Sequence, residues 1–320
     1  GIIHTVVGNG IRGNIGDGLP AMQASVYGAT TLKLNNKGEI FIISPSGFVS
    51  LIRKIDRKGI MRKFLDTVTP RYLESIAKSK YKGKVQTGEL ATITTFSDFA
   101  FDQKGNMFIS DRLNHQIRKV DSKGNITTIA GTGESGYYGD GGPASEAAFR
   151  DPSALATDKE GNLYIADGAN NLIRKIDTKG IISTIAGNGK HDNSGDGGPA
   201  LEASIRNMDY LKVSPKGELH IVGMNSNVIR KVTRDGKIVK VAGRGYQGYS
   251  GDGGPATKAM LKSPLAIAFD SKNNMYITDM GNNRIRKVDA NGIISTFAGT
   301  GNFGWAQDGE TVEIYLHKFP

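Results

Sequence analysis

A repeat of fixed length constrains this chain more than any other feature. The triplet Ile-Arg-Lys recurs with its arginine at Arg118, Arg174, Arg230 and Arg286, each 56 residues from the next. A fourteen-residue segment, Gly187-Asn-Gly-Lys-His-Asp-Asn-Ser-Gly-Asp196-Gly-Gly-Pro-Ala200, has close counterparts beginning at Gly131 and Gly243 and looser ones at Gly8 and Gly299. Self-similarity at such a period marks stacked equivalent units, none of which buries its apolar faces alone. Residues present in every copy belong first to the scaffold. A specific function is expected where the copies differ.

One unit, from Pro152 to Pro199, holds four short runs rich in apolar and β-branched residues. They are Ser153-Ala-Leu-Ala-Thr157, Leu163-Tyr-Ile-Ala166, Leu172-Ile-Arg-Lys-Ile176 and Ile181-Ile-Ser-Thr-Ile-Ala186, separated by turns of Asp, Asn and Gly. This pattern predicts an antiparallel four-stranded meander. Only Pro143-Ala-Ser-Glu-Ala-Ala-Phe149 and its equivalents suggest a helical turn. A four-stranded sheet at this period predicts an all-β fold, a β-propeller, with Phe41, Phe108, Tyr164, His220 and Tyr276 as fillers between blades.

Blades are expected at about 30–65, 97–130, 153–186, 209–242 and 265–298 of a single domain spanning 1–320, with an irregular basic linker at 66–96. The fourth-strand motif occurs six times but the preceding three-strand block only five times. Residues 1–8 therefore read as the outer strand of a split or incomplete blade, giving five complete blades plus a partial sixth. A six-bladed ring in a full-length chain would need about 28 further residues, from the continuation of this chain or from another chain. Closure with five blades is the alternative.

The pattern Gly-Asn-Leu-Tyr-Ile-Ala-Asp167-x-x-Asn-x-x-Ile-Arg-Lys, followed by Thr-Ile-Ala-Gly and Gly-Asp-Gly-Gly-Pro-Ala, resembles the NHL-repeat family of β-propellers. It is similar to the long-repeat version found in bacterial secreted proteins and in the teneurin ectodomain. The resemblance runs over essentially the whole chain. Departures are the linker from Asp66 to Ser97, which lacks Gly-Asp-Gly-Gly and is nine residues longer, and Ser44 and Gly223, which replace the second-strand aspartate. The family implies a platform rather than a reaction, and an extracellular, periplasmic or cell-surface location.

The formal charge of +10 invites a nucleic-acid reading. Much of it is dispersed in one Arg-Lys pair per blade, from Arg53-Lys54 to Arg286-Lys287. Strand alternation puts each arginine on one face and the lysine on the other, so the arginines are expected between blades, facing Asp111, Asp167 or Asp279. The concentrated basic run is Arg71, Lys78, Lys80, Lys82 and Lys84 in the linker, the electrostatic candidate for RNA. The chain has no cysteine, which excludes disulfides and thiolate metal sites. No apolar run of membrane-spanning length occurs, so membrane insertion is not expected. Any signal peptide would lie upstream of Gly1.

Two motifs imitate sites. Gly-x-Gly-x-x-Gly begins at Gly8, Gly131, Gly243 and Gly299, but an aspartate-glycine turn follows where a dinucleotide site needs a helix N-terminus. Asp192-x-Ser194-x-Asp196-Gly197 copies the first half of a calcium loop, yet its twelfth position is Ala203. Asp17, Asp140, Asp196 and Asp252 recur there, so turn stabilisation is favoured, with calcium the weaker reading and no cofactor expected. The five histidines, His4, His115, His191, His220 and His317, form no ligand pair, which argues against a metal-assisted lyase or hydrolase with ligands around a channel.

The copies differ in the long loops between blades. Counting the first glycine as one, the seventh residue is Asn14, Tyr137, Asn193, Tyr249 or Trp305, and the fifth is Arg12, Ser135, His191, Gln247 or Phe303. Tyr138 and Tyr246 lie close by. Aromatic residues on glycine-framed loops suit recognition of a protein or glycan ligand, so Tyr137, Tyr138, His191, Tyr246, Tyr249, Phe303 and Trp305 are the candidate site. The competing reading is that these rings cover the loops' own cores. The function expected is a non-enzymatic binding platform, with RNA binding and metal-assisted catalysis as alternatives.

Overall fold

Short β-branched runs and turns with built-in hydrogen bonds produce five four-stranded antiparallel sheets among the residues described. The computed structural model describes residues 4–11, 13–29, 31–46, 49–66, 96–121 and 124–302. Blade one comprises β1 (Thr31–Leu34), β2 (Ile40–Ser46), β3 (Val49–Ile55) and β4 (Met61–Asp66). Blade two comprises β5 (Phe96–Phe101), β6 (Met107–Asp111), β7 (Gln116–Val120) and β8 (Ile126–Ala130). Blade three holds β9 (Pro152–Thr157), β10 (Leu163–Asp167), β11 (Leu172–Ile176) and β12 (Ile182–Ala186). Blade four holds β13 (Tyr210–Val213), β14 (Leu219–Gly223), β15 (Val228–Val232) and β16 (Ile238–Ala242). Blade five holds β17 (Pro264–Phe269), β18 (Met275–Asp279), β19 (Arg284–Val288) and β20 (Ile294–Ala298). In each sheet the strands lie in sequence order, as the meander pattern predicts.

The turns show why the pattern folds this way. Asp177 accepts hydrogen bonds on Oδ1 from the backbone of Lys179 (2.8 Å) and Ile181 (3.0 Å), and Gly180 closes the turn at φ +82°. Asp56, Asp121 and Asp289 are used the same way in other blades. The helical turns expected after the prolines are three-residue 3-10 turns, such as Ala144–Glu146 and Ala256–Lys258. A register shift falls immediately before the arginine of every third strand, from Ile52/Arg53 to Ile285/Arg286. Such a bulge strengthens the local twist and re-aims the side chain that follows.

The chain divides into two compact units, one containing residues 5–136 and 145–152 and the other residues 137–144 and 153–320. In the first, Phe41, Ile43 and Ile52 of blade one pack on Phe99, Met107 and Ile109 of blade two. In the second, Leu211, Leu219 and Ile221 of blade four meet Ala154, Ala166 and Ile173 of blade three. The opposite face of blade four, Val222 and Ile229, meets Ile267, Met275 and Ile277 of blade five. Strand alternation therefore splits the apolar residues of blade four between its two neighbours. At the second-strand position Phe41 packs on Phe101 of blade two with ring centroids 4.8 Å apart, and His220 on Phe269 of blade five at 4.9 Å, whereas the Tyr276 ring packs on Phe297 of its own blade at 4.9 Å.

One expectation fails over part of its length. Residues 4–8 carry no strand where an outer strand was expected at 1–8. The backbone there turns toward the loop that follows, with Gly8 N–H donating to the Ala21 carbonyl at 3.0 Å. Residues 1–3 and the segment from 303 to Pro320, where the partial sixth blade was expected, lie outside the described residues. So does most of the 66–96 linker.

Candidate functional site

The long loops are built on two constraints. The first is a tight pass over the preceding blade: Gly187 has φ +98°, and a Cβ there would strike the carbonyl of Asn171, itself left-handed at φ 55°. Gly131, Gly243 and Gly299 make the same approach to His115, Asn227 and Asn283. Gly187→Ala is expected to cost more than about 1 kcal/mol, read as a lower urea midpoint; an unchanged midpoint would refute this use of the glycine. The motif that imitates a dinucleotide fingerprint thus has a structural use, and no helix longer than a 3-10 turn follows it among the described residues.

The second constraint is the Gly-Asp-Gly-Gly-Pro segment, which lies along the outer strand of the following blade. Gly141 N–H donates to the Ile182 carbonyl (2.8 Å), Ile182 N–H to the Gly142 carbonyl (3.1 Å) and Ala144 N–H to the Gly180 carbonyl (2.9 Å). The same three bonds recur for residues 197–200 on β16 and 253–256 on β20, and in looser form for residues 18–21 on β4. At the head of the segment the aspartate reaches the buried arginine. Asp140 accepts from Arg174 Nη2 at 2.7 Å, Asp196 from Arg230 Nε at 2.8 Å, Asp252 from Arg286 Nη2 at 2.6 Å and Asp17 from Arg53 Nε at 2.9 Å.

This corrects the sequence reading of these aspartates, which assigned them to their own turns. Their partners lie 34 residues away in blades three, four and five. The bulge before each arginine aims the guanidinium toward the loop. The second-strand aspartates that were expected to face the arginines contribute as well: Asp167 lies 3.4 Å from Arg174 and Asp279 3.2 Å from Arg286. Asp111 stands back at 3.9 Å from Arg118. Burial alone would raise the Asp140 and Asp252 carboxyls. Hydrogen bonds from Thr184 or Thr296 and the arginine charge outweigh it and hold both below the usual carboxylate range.

The loop tyrosines divide between two roles. The Tyr249 hydroxyl bonds Asp252 and Thr296, each at 3.0 Å, and its ring lies 4.9 Å from the Arg286 guanidinium and 3.9 Å from that of Arg284. Tyr137 does the same in blade three, with Asp140 at 3.4 Å, Thr184 at 3.2 Å and Arg174 at 5.0 Å. Where the loop carries Asn instead, the side chain serves its own loop: Asn193 accepts from Arg206 N–H and Asn14 from Tyr27 N–H. The outer-strand residue opposite the arginine changes in step. It is Thr184 or Thr296 with a tyrosine loop, and Lys240 or Lys63 with an asparagine loop.

Tyr137 and Tyr249 are therefore partly structural, as the competing reading held, although both keep an exposed edge. Tyr246 is 71% exposed, and the Tyr138 ring is exposed while its carbonyl accepts from Arg174. His191 sits on the surface with Nδ1 3.1 Å from Asn171 Oδ1. Phe303, Trp305 and Arg12 lie outside the described residues, as does the basic run Arg71, Lys78, Lys80, Lys82 and Lys84. Among the described residues no group of three acids, histidines or cysteines is placed to hold a metal ion.

Comparison with known proteins supports the family resemblance. The model of the teneurin NHL domain matches residues 132–196 and 245–309. The chain is a β-propeller similar to the NHL-repeat family. This propeller is 31% identical over 222 residues to Teneurin-m of Drosophila melanogaster, covering 61% of the chain and 8% of that protein. To Teneurin-3 of Danio rerio it is 27% identical over 335 residues, covering 93% of the chain and 11% of that protein. The propeller thus spans about a tenth of the length of these relatives. In architecture it is similar to an auxiliary nutrient binding protein from Bacteroides ovatus, with TM-score 0.58, 13% identity, and coverage of 88% of this chain and 60% of that one. The fold and the teneurin relatives suggest a protein-interaction module. No helix among the described residues of the propeller is long and apolar enough to cross a membrane.

Proposed function

We propose that this propeller is a non-enzymatic binding platform that recognises a protein or glycan ligand through its long loops, displayed outside the cell or in the periplasm. The observation that carries the reading is the exposure of Tyr246, together with that of Tyr137, Tyr138 and Tyr249, on loops tied to their blades by Arg–Asp pairs. Loops held in place lower the ordering cost of binding, and tyrosine offers large contact area with few torsions. The resemblance to the teneurin ectodomain supports the location.

Tyr246 separates recognition from folding better than Tyr249 does, because Tyr249 also ties down Asp252. Tyr246→Ala, screened against a glycan array and a displayed library of extracellular domains, is expected to weaken the selected ligand roughly tenfold or more while leaving thermal stability unchanged. Equal binding by wild type and variant would move the site elsewhere.

A further inference from the structure

Blade two carries the receiving half of a contact whose other half is missing from the segment before it. In the other four blades a Gly-Asp-Gly-Gly-Pro segment, or its looser form at residues 16–20, covers the outer strand and places an aspartate on the buried arginine. The sequence between Asp66 and Ser97, ahead of blade two, contains no such segment. The receiving groups are nonetheless all present. Arg118, Gly124, Ile126 and Thr128 stand 56 residues before Arg174, Gly180, Ile182 and Thr184, which bind the segment in blade three.

Arg118 registers this difference. Its Nη1 donates to Gln116 Oε1 at 2.9 Å, and among the described residues no carboxylate comes within hydrogen-bond reach, Asp111 standing 3.9 Å away. Nε is buried without a partner, as it is in Arg286, but Arg286 holds two carboxylates through its Nη atoms. Its side chain is 9% exposed, against at most 3% for the four arginines that have a loop aspartate. Thr128 is exposed, whereas Thr184 and Thr296 are half-covered by their loops. A buried guanidinium with no bonded carboxylate favours one that can supply a charge-assisted bond. A second carboxylate is no electrostatic anomaly, since Arg174 and Arg286 each hold two.

We propose that blade two is a docking site for an extended Gly-Asp-Gly-Gly-Pro segment of a second polypeptide. Its aspartate takes Arg118 through one oxygen and the Thr128 N–H and hydroxyl through the other, while its glycines pair with the edge of β8 at Ile126. The binding mode is strand addition to an edge that no described strand covers, with specificity from the buried arginine. This site is separate from the exposed tyrosines and stands whether or not they bind a ligand.

The probe is the blocked octapeptide Tyr-Tyr-Gly-Asp-Gly-Gly-Pro-Ala, the sequence of residues 137–144, titrated into the ¹⁵N-labelled protein. Its tyrosine suits a blade that carries Thr128. A saturable shift of the Arg118 Nε–H resonance is expected, with binding roughly tenfold or more weaker for the peptide bearing Asn in place of Asp. Thr128→Val should weaken binding several-fold without lowering thermal stability, and Arg118→Lys should remove the shifting resonance. The proposal is overturned if no saturation occurs up to millimolar peptide, or if the Asn peptide binds as well. It is also overturned if binding appears only after Glu74→Gln and Glu89→Gln, since the linker's own carboxylates would then be the occupants.

Discussion

Arg174→Met is expected to lower the folding stability of this protein by about 3–5 kcal/mol, because it leaves a charge buried without its counter-ion. Arg174 is fully buried and binds Asp140 through Nε (3.0 Å) and Nη2 (2.7 Å), the Tyr138 carbonyl (3.3 Å) and Asp167 (3.4 Å). Asp167 is itself fully buried. Methionine fills much of the same volume but returns no charge to Asp167 and releases the loop aspartate. Urea denaturation at pH 7 reads the effect as a lowered midpoint. Asp167→Asn in the same chain should restore a large part of the loss, since it removes the orphaned charge. A loss below about 1 kcal/mol, or no recovery in the double variant, would show that the arginine is spectator to the joint rather than its centre.

The second large effect is a pH dependence centred on His220. Burial lowers its imidazole from 6.5 to about 4, and the Lys231 charge acts in the same direction. Its Nδ1 lies 3.1 Å from the Glu218 carbonyl, its ring packs on Phe269, and Lys212 and Lys231 are its partners on the flanking strands. In the unfolded chain the imidazole takes up its proton as pH falls below about 6.5, while the folded protein resists until about 4. Stability is therefore complete above pH 6.5 and falls across the window down to 4, by about 3 kcal/mol in total. His220→Phe should flatten the urea midpoint between pH 6.5 and 4.5 and leave the steeper loss below pH 4. Asp140 and Asp252, whose carboxyls are held low, contribute to that lower limb: their stabilisation is present above the unfolded carboxylate range and lost as pH falls through their folded values. An unchanged slope in His220→Phe would assign the window to other groups.

The fold was legible because each level of the sequence agrees with the next. The 56-residue period, the Asp-x-x-Gly turns and the alternation in Leu172-Ile-Arg-Lys-Ile176 all specify the same four strands. Phe41 and His220 were legible as joint fillers for the same reason, since a position between two sheets must meet a neighbour. The Asp140–Arg174 pair was not, because nothing local marks a contact across 34 residues. The constant 34-residue interval in three blades was the available signal, and it was hidden by the local suitability of aspartate for turns. The same blind spot applied to Tyr249. An aromatic residue on a glycine-framed loop reads as a ligand contact, whereas its hydroxyl is committed to Asp252 and Thr296.

The paired exchange of loop and strand residues bears on how such a chain finds its native order. Near-identical segments compete during folding, because any Gly-Asp-Gly-Gly-Pro loop could settle on the wrong blade and trap the chain. Asn193 precedes a blade with Lys240, and Tyr249 precedes a blade with Thr296. A loop that slipped by one repeat in this stretch would set a tyrosine hydroxyl against a lysine, or an asparagine where the threonine expects a phenol. Each misplacement forfeits contacts that only the correct neighbour supplies. The alternation acts as an address on each loop, and exchanging the two sets should slow refolding before it changes the final structure.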